Sequence, residues 1–566
     1  MAYVITQTCC NDASCVAVCP VNCIHPTPEE PGFATAEMLH IDPQTCIDCG
    51  ACADACPVEA IVPEDRLTPA QARFTQINAD YYKTHPMPDT WEPLTPVPAP
   101  PRDRKTLRVA IVGAGPAACY AAQELLERSD VEVEIFDRAP TPFGLVRAGV
   151  APDHPGTKSV TDSFEWSFRR DELQLHLNVE IGRDLTHAEL LEHHHAVIYA
   201  VGASADRRLG IPGEDLQGSH AATEFVAWYN GHPDHADRTF ELTGTGQRSG
   251  RAVIIGNGNV ALDVARILTM DADDLARTDI ADHALEALRR SDIREVVLLG
   301  RRGPAQAAYS NPEFLALANL NGVDVVIDDA DTDLALDPFS ARAAENDPAT
   351  ALRIQLAREY AQRPPRPGHK RIVFRYLAAP QELLGDERVT GVRVARTELV
   401  EAENGTVAAR ATGVTEDLDA DLVLRSIGYR GVPVPGVPFD ERRGVIPNTE
   451  GRVEPGVYVA GWIKRGPNGV IGTNKGCSKE TVAALLADFD AGRLPEPSGD
   501  RRTLGRLLAK RRPDRIDLHG WRSIDAAEQE AGRAEGRPRV KITDRQALVD
   551  RGRRRRLLPL LGSVRR

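Results

Sequence analysis

The chain has 566 residues, too many for one hydrophobic core, so roughly two to four domains are expected. Its composition, 42% hydrophobic and 27% charged, is typical of a globular protein, and no run of about 18 apolar residues predicts a transmembrane helix or integral membrane association. The first eight residues lack the basic start and apolar stretch of a signal peptide, so the sequence predicts a cytoplasmic protein.

The net charge of −14 is distributed unevenly. Residues 1–66 contain ten acidic side chains and one basic side chain, Arg66, whereas residues 551–566 contain seven arginines and no acid. Both segments fit solvated surface, and the acidic one also fits a face that is steered toward a basic partner. The arginine segment lacks the interleaved aromatic residues of a single-strand binder, so no nucleic-acid partner is expected.

Nine of the eleven cysteines lie between Cys9 and Cys56, which predicts a local cluster site rather than a disulfide framework. The run Cys46-x-x-Cys49-x-x-Cys52-x-x-x-Cys56-Pro57 has the spacing of bacterial ferredoxins. In that pattern three thiolates hold one [4Fe–4S] cluster and the fourth thiolate binds a second cluster. A structural zinc site rarely uses such a run. Residues 1–66 are therefore predicted to form an α+β ferredoxin domain.

The upstream run of cysteines is incomplete. Cys15-x-x-x-Cys19-Pro20 matches the second half of the pattern, but only the adjacent Cys9 and Cys10 precede it. Pseudo-symmetry divides the ligands into two sets. One set is Cys19, Cys46, Cys49 and Cys52, and the other is Cys15, Cys56 and either Cys9 or Cys10. The second set has three well-placed thiolates, which favours [3Fe–4S], with [4Fe–4S] using one more cysteine as the alternative.

Residues 67–105 are predicted to be a linker. Seven prolines stand between Pro86 and Pro101, and such a stretch stays extended and semi-rigid. We expect it to hold the ferredoxin domain apart from the next domain at a limited range of distances.

A dinucleotide fingerprint follows the linker. Leu107–Val112 is predicted to be a buried strand, with a helix from Pro116 to about residue 128 and a second strand over residues 131–136. The turn between them reads Gly113-Ala114-Gly115-x-x-Ala118, which lets the backbone approach a pyrophosphate at the helix start. Asp137 ends the second strand, where an acid accepts hydrogen bonds from the adenosine ribose; an ordinary loop acid is the alternative.

The same pattern returns at Gly256-Asn257-Gly258-Asn259-Val260, between a strand over residues 252–255 and a helix over residues 260–269. After the next strand, Glu295–Leu299, stand Arg301 and Arg302, where an NAD site would present an acid. Guanidinium groups pair with a 2′-phosphate, which predicts NADPH over NADH, although solvated surface is the alternative for this pair. Two fingerprints predict an α/β protein with two Rossmann-like domains.

The remaining segments carry less information. Residues 196–203 are predicted to be a late strand that leads the chain from the first Rossmann-like domain to the second. Residues 491–566 are predicted to be a peripheral appendage. Cys119 and Cys477 are isolated, so a thiol relay beside a flavin is not expected.

Four long segments resemble ferredoxin–NADP reductases of the adrenodoxin reductase type: residues 144–155, 256–266, 300–306 and 461–475. Joined to the N-terminal ferredoxin, the chain is similar to ferredoxin-fused reductases of actinobacteria. The resemblance implies an NADP domain inserted between two segments of an FAD domain. The implied boundaries are 1–66 for the ferredoxin, 67–105 for the linker, 106–212 and 416–490 for the FAD domain, 213–415 for the NADP domain, and 491–566 for the extension.

The resemblance also implies roles for particular residues. The implied FAD contacts are Asp137, Leu145, Ile181, Trp462, Gly469, Val470 and Ile471. The implied NADP contacts are Asn257, Gly258, Asn259, Val260, Arg301, Arg302 and Glu313. His154 matches a histidine that helps to position the nicotinamide, but Ala316 stands where the family often has an assisting acid.

The function implied by the resemblance is that of a ferredoxin–NADP(+) reductase, which passes a hydride from NADPH to FAD and then single electrons, through the iron–sulfur clusters, to a ferredoxin-type partner. One alternative is the electron-input subunit of a larger enzyme such as an amidotransferase or a dihydropyrimidine-type dehydrogenase. A redox-sensing module without catalysis is the other, and the intact fingerprints argue against it.

Overall fold

A computed structural model describes residues 2–86, 106–243, 249–328, 336–402 and 405–553. Most of the predicted proline-rich stretch and residues 554–566 of the arginine segment lie outside the described residues. Among the helices in the described ranges, none combines the length and the apolar character that a membrane span requires.

The N-terminal domain has the predicted α+β character. Its bounds are β1 Tyr3–Ile5, α1 Ser14–Val18, β2 Ile24–His25, β3 His40–Ile41, α2 Ala51–Ala55, β4 Ile61–Pro63 and α3 Arg73–Thr84. β1 pairs with β4 and β2 pairs with β3, both antiparallel. The repeated strand–helix–strand arrangement gives the domain its internal pseudo-symmetry.

The linker prediction is wrong for residues 73–84, because helix α3 packs on the ferredoxin domain. The Asn78 amide oxygen accepts from the Ile5 and Ile41 amides at 3.2 and 2.9 Å, and its nitrogen donates to the Ile5 carbonyl at 2.9 Å. The Tyr82 hydroxyl donates to the carbonyls of Cys23 and His40. A buried amide that satisfies two strands is a tertiary signal, which the local sequence does not display.

A second domain begins with parallel strands that alternate with helices. Its first segment contains β5 Leu107–Val112, α4 Pro116–Leu126, β6 Val131–Asp137, α5 Leu145–Ala148, α6 Pro155–Lys158, α7 Val160–Ser167, β7 Leu173–Leu177, α8 His187–His193, β8 Ala196–Tyr199 and β9 Ala205–Asp206. The predicted strand–turn–helix–strand unit is confirmed within two residues at each end. The hydrophobic strands β5 and β8 are buried in its centre.

The inserted domain contains two sheets. Its strands are β10 Ser219–Ala221, β11 Arg251–Ile255, β12 Glu295–Leu299, β13 Val323–Ile327, β14 Lys370–Arg375, β15 Ala378–Leu384, β16 Gly391–Glu401, β17 Val407–Asp419 and β18 Leu422–Arg425. Its helices are α9 Ala222–Tyr229, α10 Asn259–Thr269, α11 Ala272–Leu275, α12 Asp282–Arg289, α13 Asn311–Ala316, α14 Pro338–Asn346 and α15 Pro348–Ala361. A parallel sheet has the order β10-β18-β11-β12-β14-β13, and β15, β16 and β17 form an antiparallel one.

The chain then returns to complete the first Rossmann-like domain. The elements are β19 Tyr429–Arg430, β20 Arg452–Glu454, β21 Val457–Val459, α16 Trp462–Arg465 and α17 Thr473–Asp490. The completed sheet has the order β20-β21-β8-β5-β6-β7. The two chain segments that cross between the Rossmann-like domains contain strands β9 and β19, which pair with each other in antiparallel orientation. The boundary predicted at residue 415 is wrong, because it falls inside β17 and because β18 still belongs to the inserted sheet.

The C-terminal extension is not the peripheral appendage that the sequence predicts. It forms α18 Arg501–Arg511, α19 Leu518–Glu535 and α20 Arg545–Arg553. Ile516 exchanges two backbone hydrogen bonds with Leu177 at the sheet edge. Lys541 shares Asp279 of the inserted domain with Lys158 of the first domain, at 2.9 and 2.6 Å. The extension therefore ties the two Rossmann-like domains together.

Substitution of Trp521, on α19, tests whether the extension packs as part of the core. The Trp521 side chain is 2% exposed, and its ring meets that of Phe143 edge-on at 5.7 Å. We expect Trp521→Ala to lower the free energy of unfolding by about 3–5 kcal/mol, which thermal unfolding detects as a fall of several degrees in Tm. Trp166 is 69% exposed, so Trp166→Ala is the matched control and should change stability by less than about 0.5 kcal/mol. Equal melting of the two variants would show that the extension is not part of the core.

Candidate functional site

The first fingerprint forms a bare backbone turn at the start of α4. Gly113 has a φ of 105°, and a Cβ there would overlap the Ala200 carbonyl. Gly115 caps α4, and a Cβ on Gly144 would lie 3.0 Å from the Gly115 Cα. Ala114, between the two fingerprint glycines, is fully buried. A helix start without side chains in the way is the arrangement that accommodates a pyrophosphate.

Asp137 holds this turn from the end of β6. Its two carboxylate oxygens accept from the Ala114 and Ala139 amides, each at 2.7 Å. Burial raises the pKa of Asp137, and these two amide bonds oppose the rise. Leu145 begins α5 and is 37% exposed, whereas Ile181 is buried beyond β7. The bond between Asp137 and the fingerprint backbone at Ala114 has no signal in the sequence.

The second segment of the same domain meets the fingerprint helix. Gly461 has a φ of 76°, and a Cβ there would lie 2.6 Å from the Ala117 side chain on α4. Trp462 follows, and its indole N–H is buried without an acceptor among the described residues. Gly469-Val470-Ile471 forms the turn before α17, where the Val470 amide donates to the Thr473 hydroxyl at 3.1 Å. An unsatisfied buried donor in this segment fits a polar ligand edge, such as that of a flavin ring.

The second fingerprint repeats the geometry at the start of α10. Gly256 has a φ of 116°, and a Cβ there would overlap the Ser426 carbonyl. The Asn257 side chain lies against Gly300 at the end of β12. The Asn259 side-chain oxygen accepts from the Ser310 amide at 2.8 Å, which fixes the segment before α13 against the fingerprint. Gly258 is the residue that caps α10, and Val260 is half-buried in its first turn.

Arg301 and Arg302 follow β12 beside this fingerprint. Arg301 is exposed and Arg302 is half-buried, and within the described ranges no acidic partner contacts either guanidinium. Burial lowers the pKa of Arg302, and the neighbouring Arg301 lowers it further, although an arginine stays charged. Two adjacent cations without carboxylates fit a dianionic phosphate.

His154 belongs to an ionic cluster between the two Rossmann-like domains. The buried Arg266 guanidinium donates to Asp153 at 2.9 Å, to Asp263 at 2.8 Å and to Glu313 at 3.2 Å. It also lies 3.0 Å from His154 Nε2, which is 3.7 Å from Glu313. A guanidinium is always a donor, so His154 Nε2 is the acceptor and the imidazole is neutral.

The charges in this cluster agree with that assignment. Burial lowers the pKa of His154, and Arg266 lowers it further. Burial opposes ionisation of Asp153, but Arg266 outweighs it and lowers the pKa of this carboxyl to about 2. Burial raises the pKa of Glu313, against the effect of Arg266. Ala316 carries no carboxylate, and Glu313 lies 3.7 Å from His154 Nε2.

The ferredoxin cysteines line two separate cavities, which we call distal and proximal. The distal cavity is lined by Cys19, Cys23, Cys46, Cys49 and Cys52, together with Tyr3, Val21, Ile41, Ile47 and Gly50. Ile47 is 58% exposed and the Cys49 thiol is exposed, so this cavity lies near the surface. Cys23 Sγ lies 3.5 Å from Cys19 Sγ, which makes Cys23 a neighbour of the predicted ligand set.

The proximal cavity is lined by the other four cysteines of the domain, Cys9, Cys10, Cys15 and Cys56. Burial raises the pKa of Cys15, and the Cys9 and Cys56 thiols raise it further. Buried thiols that crowd one another become thiolates when a metal binds them. Both cavities therefore fit iron–sulfur clusters by donor chemistry.

The proximal cavity abuts the second segment of the first Rossmann-like domain. The Cys10 carbonyl accepts from the Gly472 amide at 2.7 Å, directly after the Gly469–Ile471 turn. A Cβ on Gly472 would overlap the Asn11 backbone. The Asp12 carboxylate accepts from the Tyr120 hydroxyl at 3.0 Å. The predicted separation of the ferredoxin from its neighbour is thus wrong, because the two are in direct contact.

Comparison with known proteins identifies the families to which the domains are similar. Residues 107–298 match the family model of pyridine nucleotide-disulphide oxidoreductases, and residues 39–62 match that of 4Fe-4S binding domains. The chain is 51% identical over 561 residues to a probable ferredoxin/ferredoxin–NADP reductase of Mycobacterium tuberculosis, covering 96% of this chain and 94% of the relative. The corresponding protein of Mycobacterium leprae is 50% identical over 558 residues, covering 96% of each.

The chain belongs to the ferredoxin–NADP reductase family. The solved structure of Mycobacterium tuberculosis FprA in complex with NADPH matches it with a TM-score of 0.75 at 47% identity, covering 79% of this chain and all of that one. The predicted α/β architecture with an N-terminal ferredoxin domain is confirmed. Because the relatives are themselves named as ferredoxin–NADP reductases, the alternative of an electron-input subunit of a larger enzyme is not favoured.

Several residues of the candidate site have no signal of their own in the sequence. Arg266, Asp153 and Asp263 lie inside the segments that carry the family resemblance, but their spacing gives no sign that they meet. Gly472 has an ordinary φ of −66°, so its need for space is visible only in the packed structure. The sequence indicates Glu37 only as one acid of residues 1–66, whereas in the structure its carboxylate contacts the inserted domain.

Proposed function

We infer that the protein is an oxidoreductase that uses NADPH to deliver single electrons, through FAD and two iron–sulfur clusters of its own ferredoxin domain, to a one-electron acceptor protein. The observation that carries this inference is the hydrogen bond between the Cys10 carbonyl and the Gly472 amide. It joins the proximal cavity to the turn that borders the flavin in this family. A docked cluster site beside a flavin site provides a short route for electrons.

The first Rossmann-like domain would hold FAD. Gly113, Ala114 and Gly115 present the backbone to its pyrophosphate, and Asp137 has lone pairs left for the ribose hydroxyls. The other residues placed along this ligand are Leu145, Ile181, Trp462, Gly469, Val470 and Ile471. Bound FAD supplies the chemistry that converts a two-electron hydride donor into single electrons. The protein supplies position, charge and exclusion of water.

The inserted domain would hold NADPH. Gly256–Val260 present the start of α10 to its pyrophosphate, while Arg301 and Arg302 supply cations for the 2′-phosphate. Glu313 and His154 lie together at the domain interface, where the nicotinamide end of the coenzyme fits. The neutral His154 imidazole can donate a hydrogen bond from Nδ1 while Arg266 holds Nε2.

The two cysteine cavities would hold clusters of different composition. Cys19, Cys46, Cys49 and Cys52 suit a [4Fe–4S] cluster in the distal cavity. Cys9, Cys15 and Cys56 suit [3Fe–4S] in the proximal cavity, and Cys10 is the additional ligand in the [4Fe–4S] alternative. Electrons would then leave from the distal cavity, whose Cys49 and Ile47 are exposed, to a ferredoxin or a similar carrier.

Anaerobic titration of the purified holoprotein with NADPH tests this function. We expect bleaching of the flavin absorbance, followed by paramagnetic signals of reduced clusters, and a weaker response to NADH. Iron and acid-labile sulfide analysis gives the cluster composition, and Cys23→Ser is the control that should leave it unchanged. Absence of bound FAD, or clusters that stay oxidised after flavin reduction, would overturn the proposal.

The pH dependence of NADPH oxidation tests the state of His154. With ferricyanide as acceptor, we expect kcat to be constant from about pH 8 down to pH 6.5 and to fall only below 6.5, because burial and Arg266 lower the histidine pKa. The unfolded chain binds this proton at higher pH, so the stability contribution of His154 is complete above pH 6.5 and is lost as the pH falls further. His154→Gln should remove the acid limb. A limb centred above pH 6.5 contradicts the assignment.

A further inference from the structure

The segment before Glu313 is held from both sides. On one side, the Ser310 amide donates to the Asn259 side-chain oxygen of the second fingerprint at 2.8 Å. On the other side, the Asn311 amide donates to Glu37 Oε2 of the ferredoxin domain at 2.7 Å. Asn311 is 4% exposed, so its amide is satisfied by this carboxylate rather than by bulk water.

The other oxygen of the same carboxylate binds a second part of the inserted domain. Glu37 Oε1 lies 2.5 Å from Arg353 Nη2 on α15. Arg353 is 9% exposed and has no other carboxylate partner among the described residues. Removal of Glu37 would therefore leave a buried guanidinium unpaired and a buried amide without its acceptor.

A second ferredoxin side chain reaches Glu313 directly. Gln7 Nε2 donates to Glu313 Oε2 at 3.4 Å, and Arg266 donates to the same oxygen at 3.2 Å. Gln7 and Glu37 thus contact the start of α13 at two positions, Asn311 and Glu313. A reductase without a fused ferredoxin has no covalently attached source of these contacts.

We propose that the fused ferredoxin domain is a structural part of the coenzyme site, in which Glu37 and Gln7 are positioning residues that raise the affinity for NADPH. The proposal rests on the inferred function, because that function makes Glu313 a coenzyme contact. Glu37 acts through the backbone of residues 310–313 and does not touch the coenzyme. By linkage, bound NADP⁺ must strengthen docking of the ferredoxin domain by the same factor.

Steady-state kinetics of the full holoprotein separate binding from catalysis. With ferricyanide as acceptor, which takes electrons without the clusters, we expect Glu37→Ala to raise the KM for NADPH about tenfold and to leave kcat unchanged, because a charged hydrogen-bonding partner is lost. Gln7→Ala should raise KM by a smaller factor, and Glu37→Gln should lie between the parent and Glu37→Ala. Flavin and iron contents should match the parent in all three variants.

Arg73→Ala is the matched control. Arg73 binds Glu359 at 2.7 and 3.1 Å, so it joins the ferredoxin domain to the same helix as Glu37 does but touches neither Asn311 nor Glu313. We expect an unchanged KM for NADPH. If Arg73→Ala raises KM as much as Glu37→Ala, docking in general is responsible and the positioning role is wrong.

Hydrogen exchange tests the reciprocal effect. NADP⁺ should slow amide exchange around residues 36–39 in the parent and not in Glu37→Ala. An unchanged KM in Glu37→Ala, with normal NADPH oxidation, would overturn the positioning role and leave the inferred function intact. Failure of the parent protein to oxidise NADPH at all would instead overturn the inferred function.

Discussion

Replacing Gly472 by alanine is expected to slow electron delivery to an external one-electron protein by about 10- to 100-fold, since displacement of positioned reactants by about 1 Å has costs of this order. The added Cβ would overlap the Asn11 backbone, and backbone cannot rotate away as a side chain can. The ferredoxin domain must therefore shift outward from the Gly469–Ile471 turn. Electron transfer weakens steeply with separation, so the step between flavin and proximal cluster should suffer most.

The measurement compares two acceptors on the same holoprotein. On the proposed route, cytochrome c would take electrons from the clusters, whereas ferricyanide would take them directly from the flavin. Gly476→Ala is the matched control, because Gly476 lies on the same helix and has nothing within 4 Å of its added Cβ. We expect only Gly472→Ala to lose cytochrome c reduction, with FAD and iron contents unchanged. Equal rates in the two glycine variants would contradict a relay through the proximal cavity.

The local features of the fold could be predicted because their physical causes are local. Gly113 and Gly256 stand where a strand must turn sharply into a helix, and the structure gives them φ values of 105° and 116°. Hydrophobic runs such as Leu107–Val112 and Glu295–Leu299 form the buried parallel strands that their periodicity indicates. Cysteine spacing in turn divides the thiols between two cavities.

Features that depend on contacts between distant segments could not be predicted. The hydrogen bond between the Glu37 carboxylate and the Asn311 amide joins residues 274 positions apart, and neither residue type indicates its partner. Strand β18 follows β17, a long and mostly exposed hairpin strand. The sequence therefore gives no sign that β18 belongs to the parallel sheet of the inserted domain. The C-terminal extension looks polar because Lys541 and Arg537 are among its residues, yet both side chains are buried against acids of other segments.

The site illustrates the same limit. Only family resemblance implies that His154 helps to position the nicotinamide and that Glu313 contacts NADP, and the same resemblance leaves the assisting acid at Ala316 in doubt. The structure brings Asp153, Asp263 and Glu313 around one buried Arg266. One guanidinium with three carboxylates is a tertiary arrangement, and its effect on His154 follows from burial and charge rather than from spacing.

Coenzyme selection is expected to depend on Arg302. We expect Arg302→Ala to lower kcat/KM for NADPH by about 10- to 100-fold and to leave kcat/KM for NADH unchanged, because only NADPH carries the 2′-phosphate that pairs with a guanidinium. Arg302 is half-buried and lacks an acidic partner among the described residues, so its charge is available to a ligand. Arg301→Ala should have a smaller effect, because Arg301 is more exposed and its field is better screened.

A paired arginine of the same domain provides the control. Arg393 binds Asp417 at 2.8 Å and Glu382 at 2.9 Å on the antiparallel sheet, so Arg393→Ala should leave both coenzymes unaffected. Raising the ionic strength should reduce the NADPH advantage of the parent and should change the Arg302→Ala variant less, because screening acts on the charge that the variant lacks. If the ratio of the two kcat/KM values is the same in Arg302→Ala and in the parent, the 2′-phosphate is bound elsewhere. Arg301 and Arg302 would then be ordinary solvated surface.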